Sequence, residues 1–351
     1  MSRVARSRRA SSRAARKAWS RLSDDELLKL RFCDLGLTVR GSRIERSVRR
    51  LYAELQAHGI RCQPHVWLAE EWFTPDGVPG IAVPFYLAHP RLTRLERRLM
   101  AQAEGGNSQS FMRILRHEAG HAIDNAYRLR RRKCWREVFG PASQRYPLRY
   151  TARPASRRYV HHLGDWYAQA HPAEDFAETF AVWLTPRSAW RTRYADWPAL
   201  RKLLLVDRLM AEVRGRAPSV RTRTRIEPIE TNRRTLGEHY RRKLAHYAQY
   251  RRSTLDVLLQ WLFSAERPRR DALRVATLLR ANQRALIDRV SRELGLTRYS
   301  VREIARTMID RSEALQLYIR GDRRDAVHVA RWLLQRVASL YSQGETPHMP
   351  L

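Results

Sequence analysis

The sequence predicts an α+β fold, in which a small mixed sheet and several amphipathic helices are followed by an all-α C-terminal region. Three observations carry that expectation. Two short strand-like runs, near residues 64–70 and 81–87, flank a segment dense in turn residues. Capped, amphipathic helical patterns stand on both sides of them. Beyond residue 231, apolar residues recur at helical spacing with few glycines or prolines, as in a helical bundle.

Taken in chain order, residues 1–20 hold seven basic and no acidic side chains. They lack the apolar stretch of a secretory signal and read as a basic disordered tail. Ser23-Asp24-Asp25-Glu26 has the form of a capping box, and so has Ser42-Arg43-Ile44-Glu45. The second box opens a helix with Ile44, Val48, Leu51, Tyr52 and Leu55 on one face, and Gly59 is its natural stop. The strand-like runs are joined by Thr74-Pro75-Asp76-Gly77-Val78-Pro79-Gly80. Pro84 places the second run at a sheet edge, because proline cannot donate to a ladder. Such an edge is also where an extended substrate could add as a strand.

A helix is expected over residues 93–103, and Asn107 or Ser108 then caps the next one. Residues 130–159, rich in Arg, Pro and Tyr and without periodicity, read as a long surface loop. Helical patterns resume at 172–184 and 198–214. The expected organisation is therefore a tail over 1–20, a first domain over 21–214, a linker over 215–231 and a helical C-terminal domain over 232–351.

Composition sets outer limits. The 351 residues are 43% hydrophobic, enough for a core, yet 68 Lys+Arg against 35 Asp+Glu leave a net charge of +33. That balance fits an anionic partner or nucleic acid, although the basic residues are spread along the whole chain and equally suit a solvated, Arg-rich surface. Cys33, Cys62 and Cys134 form no CxxC pair and are odd in number, which points to a reducing compartment, the cytoplasm. No stretch approaches the ~20 apolar residues of a membrane span.

The chemistry concentrates in His117-Glu118-Ala119-Gly120-His121. Residues four apart share a helix face, so both imidazoles can reach one zinc ion, with Glu118 beside them to handle the protons of a water. A catalytic zinc needs a third protein ligand. His161, His162, Asp165, His171, Glu174, Asp175 and Glu178 are the candidates. The segment 171–184 favours its glutamates. Glu174 and Glu178 share a face with Ala177, Ala181 and Leu184, while Phe176, Phe180 and Trp183 make a second apolar face. A helix apolar nearly all round is buried, and two buried carboxylates need a cation or donors.

The blocks Leu115–Asp124 and His171–Glu178 resemble the zinc-binding metallopeptidases of bacteria, over about residues 22–210, and more distantly the lethal-factor-like gluzincins and the Pro-Pro endopeptidases. The resemblance implies a zincin-like domain over 21–214 and a zinc-dependent metallopeptidase acting on a peptide or protein. It implies Glu174 as the third zinc ligand beside His117 and His121. It further implies Glu178 as support for a liganding histidine, Glu118 as general base, and Tyr167, seven residues before Glu174, as a donor to the oxyanion. Asp124 completes the pattern HExxHxxD and is expected to orient a histidine from behind, as such carboxylates do.

A different class is also drawn by the sequence. Residues 285–306 have the outline of a helix, a glycine turn and a second helix, with Arg298, Arg302 and Arg306 every four residues. A nucleic-acid-binding or scaffold protein with a basic helical C-terminal domain and a non-catalytic zinc site is the alternative reading.

Overall fold

The computed structural model describes residues 18–100, 103–147, 149–150, 153, 156–164, 166–250, 254–268, 271–342 and 349–350. Nearly all of the expected basic tail, and the candidate ligand Asp165, lie outside these residues. The architecture is mixed α+β, mostly helical, with a small parallel sheet of two strands.

The chain divides into two compact units. The first comprises residues 1–135, 183–187 and 205–246, and the second residues 136–182, 188–204 and 247–351.

The first unit begins with α1 (Asp24–Leu28) and α2 (Arg43–Ala57). Ser23 and Glu26 form the reciprocal capping box of α1. At α2 the arrangement is one residue wider: Ser42 Oγ accepts the Ile44 N–H, while Glu45 Oε2 accepts from Gly41 N at 2.7 Å. Ile44, Val48, Leu51 and Leu55 are buried along one face of α2, as the helical spacing requires.

Strands β1 (His65–Ala69) and β2 (Gly80–Pro84) pair in parallel, with His65 opposite Gly80 and Ala69 opposite Pro84. Both are almost wholly buried, the pattern of strands covered on two faces. Gly80 is required sterically, since a Cβ there would stand 2.3 Å from the His65 ring. That ring stacks on Trp67 and bonds the Thr224 carbonyl at 2.9 Å through Nε2. The outer side of β2 is not open along its length, because Ala82 N–H donates to Phe73 O at 2.9 Å. An added substrate strand would meet that pairing, which restricts the edge-strand docking drawn from Pro84. Part of residues 215–231, from Thr224 to Ile229, follows β1. Trp67 Nε1 donates to Ile226 O and Ile229 N to Leu68 O, so this stretch is fastened along β1.

The unit continues with α3 (Pro90–Met100), α4 (Ser108–Tyr127), the start of α5 (Lys133–Phe139), and later α9 (Leu236–Tyr250). Helix α5 falls inside the stretch expected to be loop. It is only seven residues long, and tertiary burial of Trp135, fully inaccessible, stands in for the periodicity that the sequence lacks there. A buried ion pair ties two of the helices, with Lys243 of α9 3.0 Å from Glu96 of α3, and Lys243 also lies 2.8 Å from the half-buried Glu71.

The second unit holds most of α6 (Pro172–Leu184), α7 (Trp190–Arg193), the start of α8 (Leu200–Val213), and α10 (Thr254–Leu262), α11 (Val275–Leu294), α12 (Arg298–Ala314) and α13 (Arg323–Ser342). A two-residue antiparallel pair joins β3 (Arg149–Tyr150) and β4 (Met349–Pro350). One core cluster draws its buried residues only from positions 255–338, including Leu259, Phe263, Val290, Met308 and Leu333. Gly295, at φ 63, closes α11, and Thr297 caps α12 through Ser300 N. The two helices extend beyond the outline read from residues 285–306, back to Val275 and on to Ala314.

Among the described residues, no helix is long and apolar enough to cross a membrane. Cys33, Cys62 and Cys134 are free thiols.

Candidate metal centre

Helix α4 carries the His117–His121 segment, and its position is over-determined. Asn107 Oδ1 accepts from Ser110 N at 2.8 Å and caps the first turn. The Arg43 guanidinium bonds the carbonyls of Gly105, Gly106 and Leu87, fixing the chain that enters the helix. Further along, Arg116 grips Glu54 of α2 with two bonds of 2.7 Å, both side chains being buried. Phe111, Leu115, Ala119, Ala122 and Ile123 pack into the core. At its end, Arg128 adopts a left-handed conformation (φ 53) that stops the helix.

One turn of this scaffold sets the two imidazoles side by side, with Nε2 of His117 and His121 3.2 Å apart. Their rings are nearly perpendicular, at 76°. Glu174, in the first turn of α6, brings a carboxylate to the same place. One donor atom from each of His117, His121 and Glu174 lies within 4.8 Å of the others. Among the described residues this is the one such group of three His, Cys, Asp or Glu side chains. The donor set suits zinc. Zinc–nitrogen bonds near 2.0–2.1 Å in a tetrahedron separate two nitrogens by about 3.3 Å, which the imidazole pair matches. Two nitrogens and one carboxylate oxygen also leave a fourth position for water.

Glu118 is buried on the same helix. Its Oε2 accepts the Thr74 hydroxyl at 2.9 Å, a partner supplied by the turn-rich loop between β1 and β2. That loop is itself pinned to α4, since Asn125 Nδ2 donates to the carbonyls of Pro75 and Val78. Asp124, one turn beyond His121, is 1% exposed. Both its oxygens accept from Arg130: Oδ1 from the backbone N–H at 2.8 Å and Oδ2 from Nε at 2.6 Å. Burial holds its carboxyl above the ordinary range, with Arg130 opposing.

Tyr167 opens a short 3-10 turn, Tyr167–Gln169, just before α6, and packs against a small cluster of Tyr150, Trp166 and Ala170. Glu178, 1% exposed, accepts the Leu163 N–H at 2.8 Å. The other described candidates fall outside the group of three. Asp175 pairs with Lys202 at 2.5 Å, and burial pushes its carboxyl up to about 7. His161 donates its backbone N–H to the Tyr194 hydroxyl, and its ring lies edge-on to Trp197. His162 is buried in the same loop. His171 bonds Gln144 O through Nε2 and receives the Ala173 N–H on Nδ1, so both ring nitrogens are engaged.

Two contacts have no counterpart in the sequence pattern. Thr74 reaches Glu118, and the Tyr146 hydroxyl donates to Glu174 Oε1 at 2.8 Å. Both residues sit in irregular segments, where no periodicity marks which side chains turn inward.

Residues 95–196 match the model of a family described as "Putative zinc-binding metallo-peptidase". The match takes in α4, the His117/His121/Glu174 group, Tyr167 and all of α6. No curated protein matches the chain. No solved structure matches it either.

Proposed function

We propose that this chain is a zinc-dependent metallopeptidase of zincin-like, gluzincin type, hydrolysing peptide bonds in a peptide or protein substrate. The observation that supports it most is the convergence of His117, His121 and Glu174 from two helices onto one point, inside the stretch that matches a zinc-binding metallopeptidase family. His117 Nε2, His121 Nε2 and a Glu174 carboxylate oxygen would hold the ion. When bound, zinc supplies a Lewis acid and a water whose pKa falls to about 7.

The chain's own residues do the rest. Thr74 holds Glu118 Oε2 and leaves Oε1 to take a proton from the attacking water, then to return it to the departing amine nitrogen. Tyr167 is assigned the hydroxyl that donates to the developing oxyanion, a contribution of about 3 kcal/mol for one such donor. Glu178 is assigned to orienting a liganding histidine, and Asp124 acts on His121 through its charge across one helical turn. The free thiols agree with a reducing location such as the cytoplasm.

Nucleic acid as a partner has the net charge in its favour and little else. Arg298 is paired with Asp288, so one arginine of the basic face of α12 is neutralised within the chain.

The test is digestion of a peptide library by the purified chain and by Glu118→Gln. Wild type is expected to cleave, and the variant to lose turnover by about 10²–10⁴-fold with zinc still near one per chain. Cleavage undiminished in Glu118→Gln would overturn the assignment.

A further inference from the structure

The segment from Gly140 to Pro147 is folded back onto the start of α6. Gly140 has φ 105, a conformation that side chains disfavour, and a Cβ there would sit 3.4 Å from Pro172 Cγ. The chain leaving α5 therefore turns beside the first residue of α6. His171, just before that helix, fastens the segment. Its Nδ1 accepts the Ala173 N–H at 3.1 Å, so the ring proton sits on Nε2 and is donated to Gln144 O at 2.8 Å. The imidazole orientation is thus set at both nitrogens.

On the face of that imidazole lies the ring of Tyr146, with centroids 3.8 Å apart and planes within 16°. The stack fixes the direction of the phenol, whose hydroxyl donates to Glu174 Oε1 at 2.8 Å. Tyr146 is 47% exposed and Glu174 only 5%. A side chain open to solvent thus reaches in to a buried carboxylate.

We propose that Tyr146 is a positioning residue for Glu174, its hydroxyl occupying one carboxylate oxygen so that a single oxygen is offered toward His117 and His121. This rests on the reading of those three residues as zinc ligands. A carboxylate can meet a divalent ion with one oxygen or with both. A hydrogen-bond donor on Oε1 draws charge from that oxygen and favours the one-oxygen mode. The count of protein donors then stays at three, and a position remains for the attacking water. Removing the hydroxyl removes that bias toward the one-oxygen mode.

Stack and hydroxyl are separable, because Tyr146→Phe keeps the ring on His171 and removes only the donor. The experiment compares full-length wild type, Tyr146→Phe and Tyr146→Ala. It reads zinc affinity by chelator competition, the visible spectrum of the Co²⁺-substituted protein, and kcat and KM on a cleaved peptide. Circular dichroism melts serve as the folding control. Tyr146→Phe is expected to bind zinc about tenfold more weakly. Its Co²⁺ bands should lose intensity as the coordination number rises, and kcat should fall with KM unchanged. Unaltered zinc affinity and Co²⁺ spectrum in Tyr146→Phe overturn the proposal, as does a defect confined to Tyr146→Ala, which would assign the role to the loop. Wild type that binds no zinc overturns the metal reading itself, whereas zinc-loaded wild type with an indifferent Tyr146→Phe overturns only the role of Tyr146.

Discussion

Thr74 holds one oxygen of Glu118, the carboxylate assigned to proton transfer, and its hydroxyl is a neutral donor to a charged group. Such bonds contribute about 1.5–3 kcal/mol. Thr74→Val, similar in shape but without the donor, is expected to lower kcat by roughly tenfold or more at unchanged zinc content. Steady-state kinetics beside metal analysis checks this, and an unchanged kcat would remove Thr74 from the machinery. At this scale the sequence is informative where residue spacing and helix geometry coincide. His117 and His121 are four apart on a helix, and Glu174 shares a buried helix with Glu178, so both patterns can be read without coordinates. Thr74 and Tyr146 cannot be found that way. Each meets its partner across 28 or more positions, from an irregular segment, and only the folded chain brings them together.

The elements show the same division. Capping signals at Ser23, Ser42 and Asn107 begin real helices because a side-chain oxygen meets an N–H that would otherwise lack a partner. Helix α5 escapes notice because seven residues are too few to display a period, and its order comes from burial of Trp135. Charges placed by burial are likewise invisible in a list of residues. Glu96 of α3 is 2% exposed, and burial raises its carboxyl above 4.5 even though Lys243 of α9 pulls the other way. The sign follows from linkage. With the folded pKa above the unfolded one, the native state holds the proton longer, so this group's contribution is complete below about pH 4.5 and is lost as pH rises through the folded pKa. Chemical denaturation of wild type and Glu96→Gln across acidic to neutral pH is expected to show the variant gaining on wild type as pH increases. A variant that loses ground to wild type as pH rises would contradict the burial effect.

Across the whole molecule, the chain combines a family-matched segment over residues 95–196 with a helical core built only from positions 255–338. The sequence separates these regions by composition, placing a linker at 215–231. The structure fastens that stretch to β1 through Ile226 and Ile229, and it counts residues up to 246 with the first unit. Composition reports the scarcity of helix formers in such a stretch, while backbone bonds to a strand leave no trace in it. The net charge of +33 is likewise only partly available to a partner, since many arginines are paired within the chain, as Arg116 is with Glu54 and Arg130 with Asp124 and Asp76.

The central claim is that His117, His121 and Glu174 together hold one zinc ion, and bound metal per chain tests it most directly. Metal analysis of the purified protein should give about one zinc for wild type and almost none for Glu174→Ala. Glu178→Ala should retain zinc with weakened affinity, by about 10–100-fold if it only orients a histidine. Full zinc in Glu174→Ala, with loss of the metal in Glu178→Ala instead, would contradict the account and reverse the two glutamates.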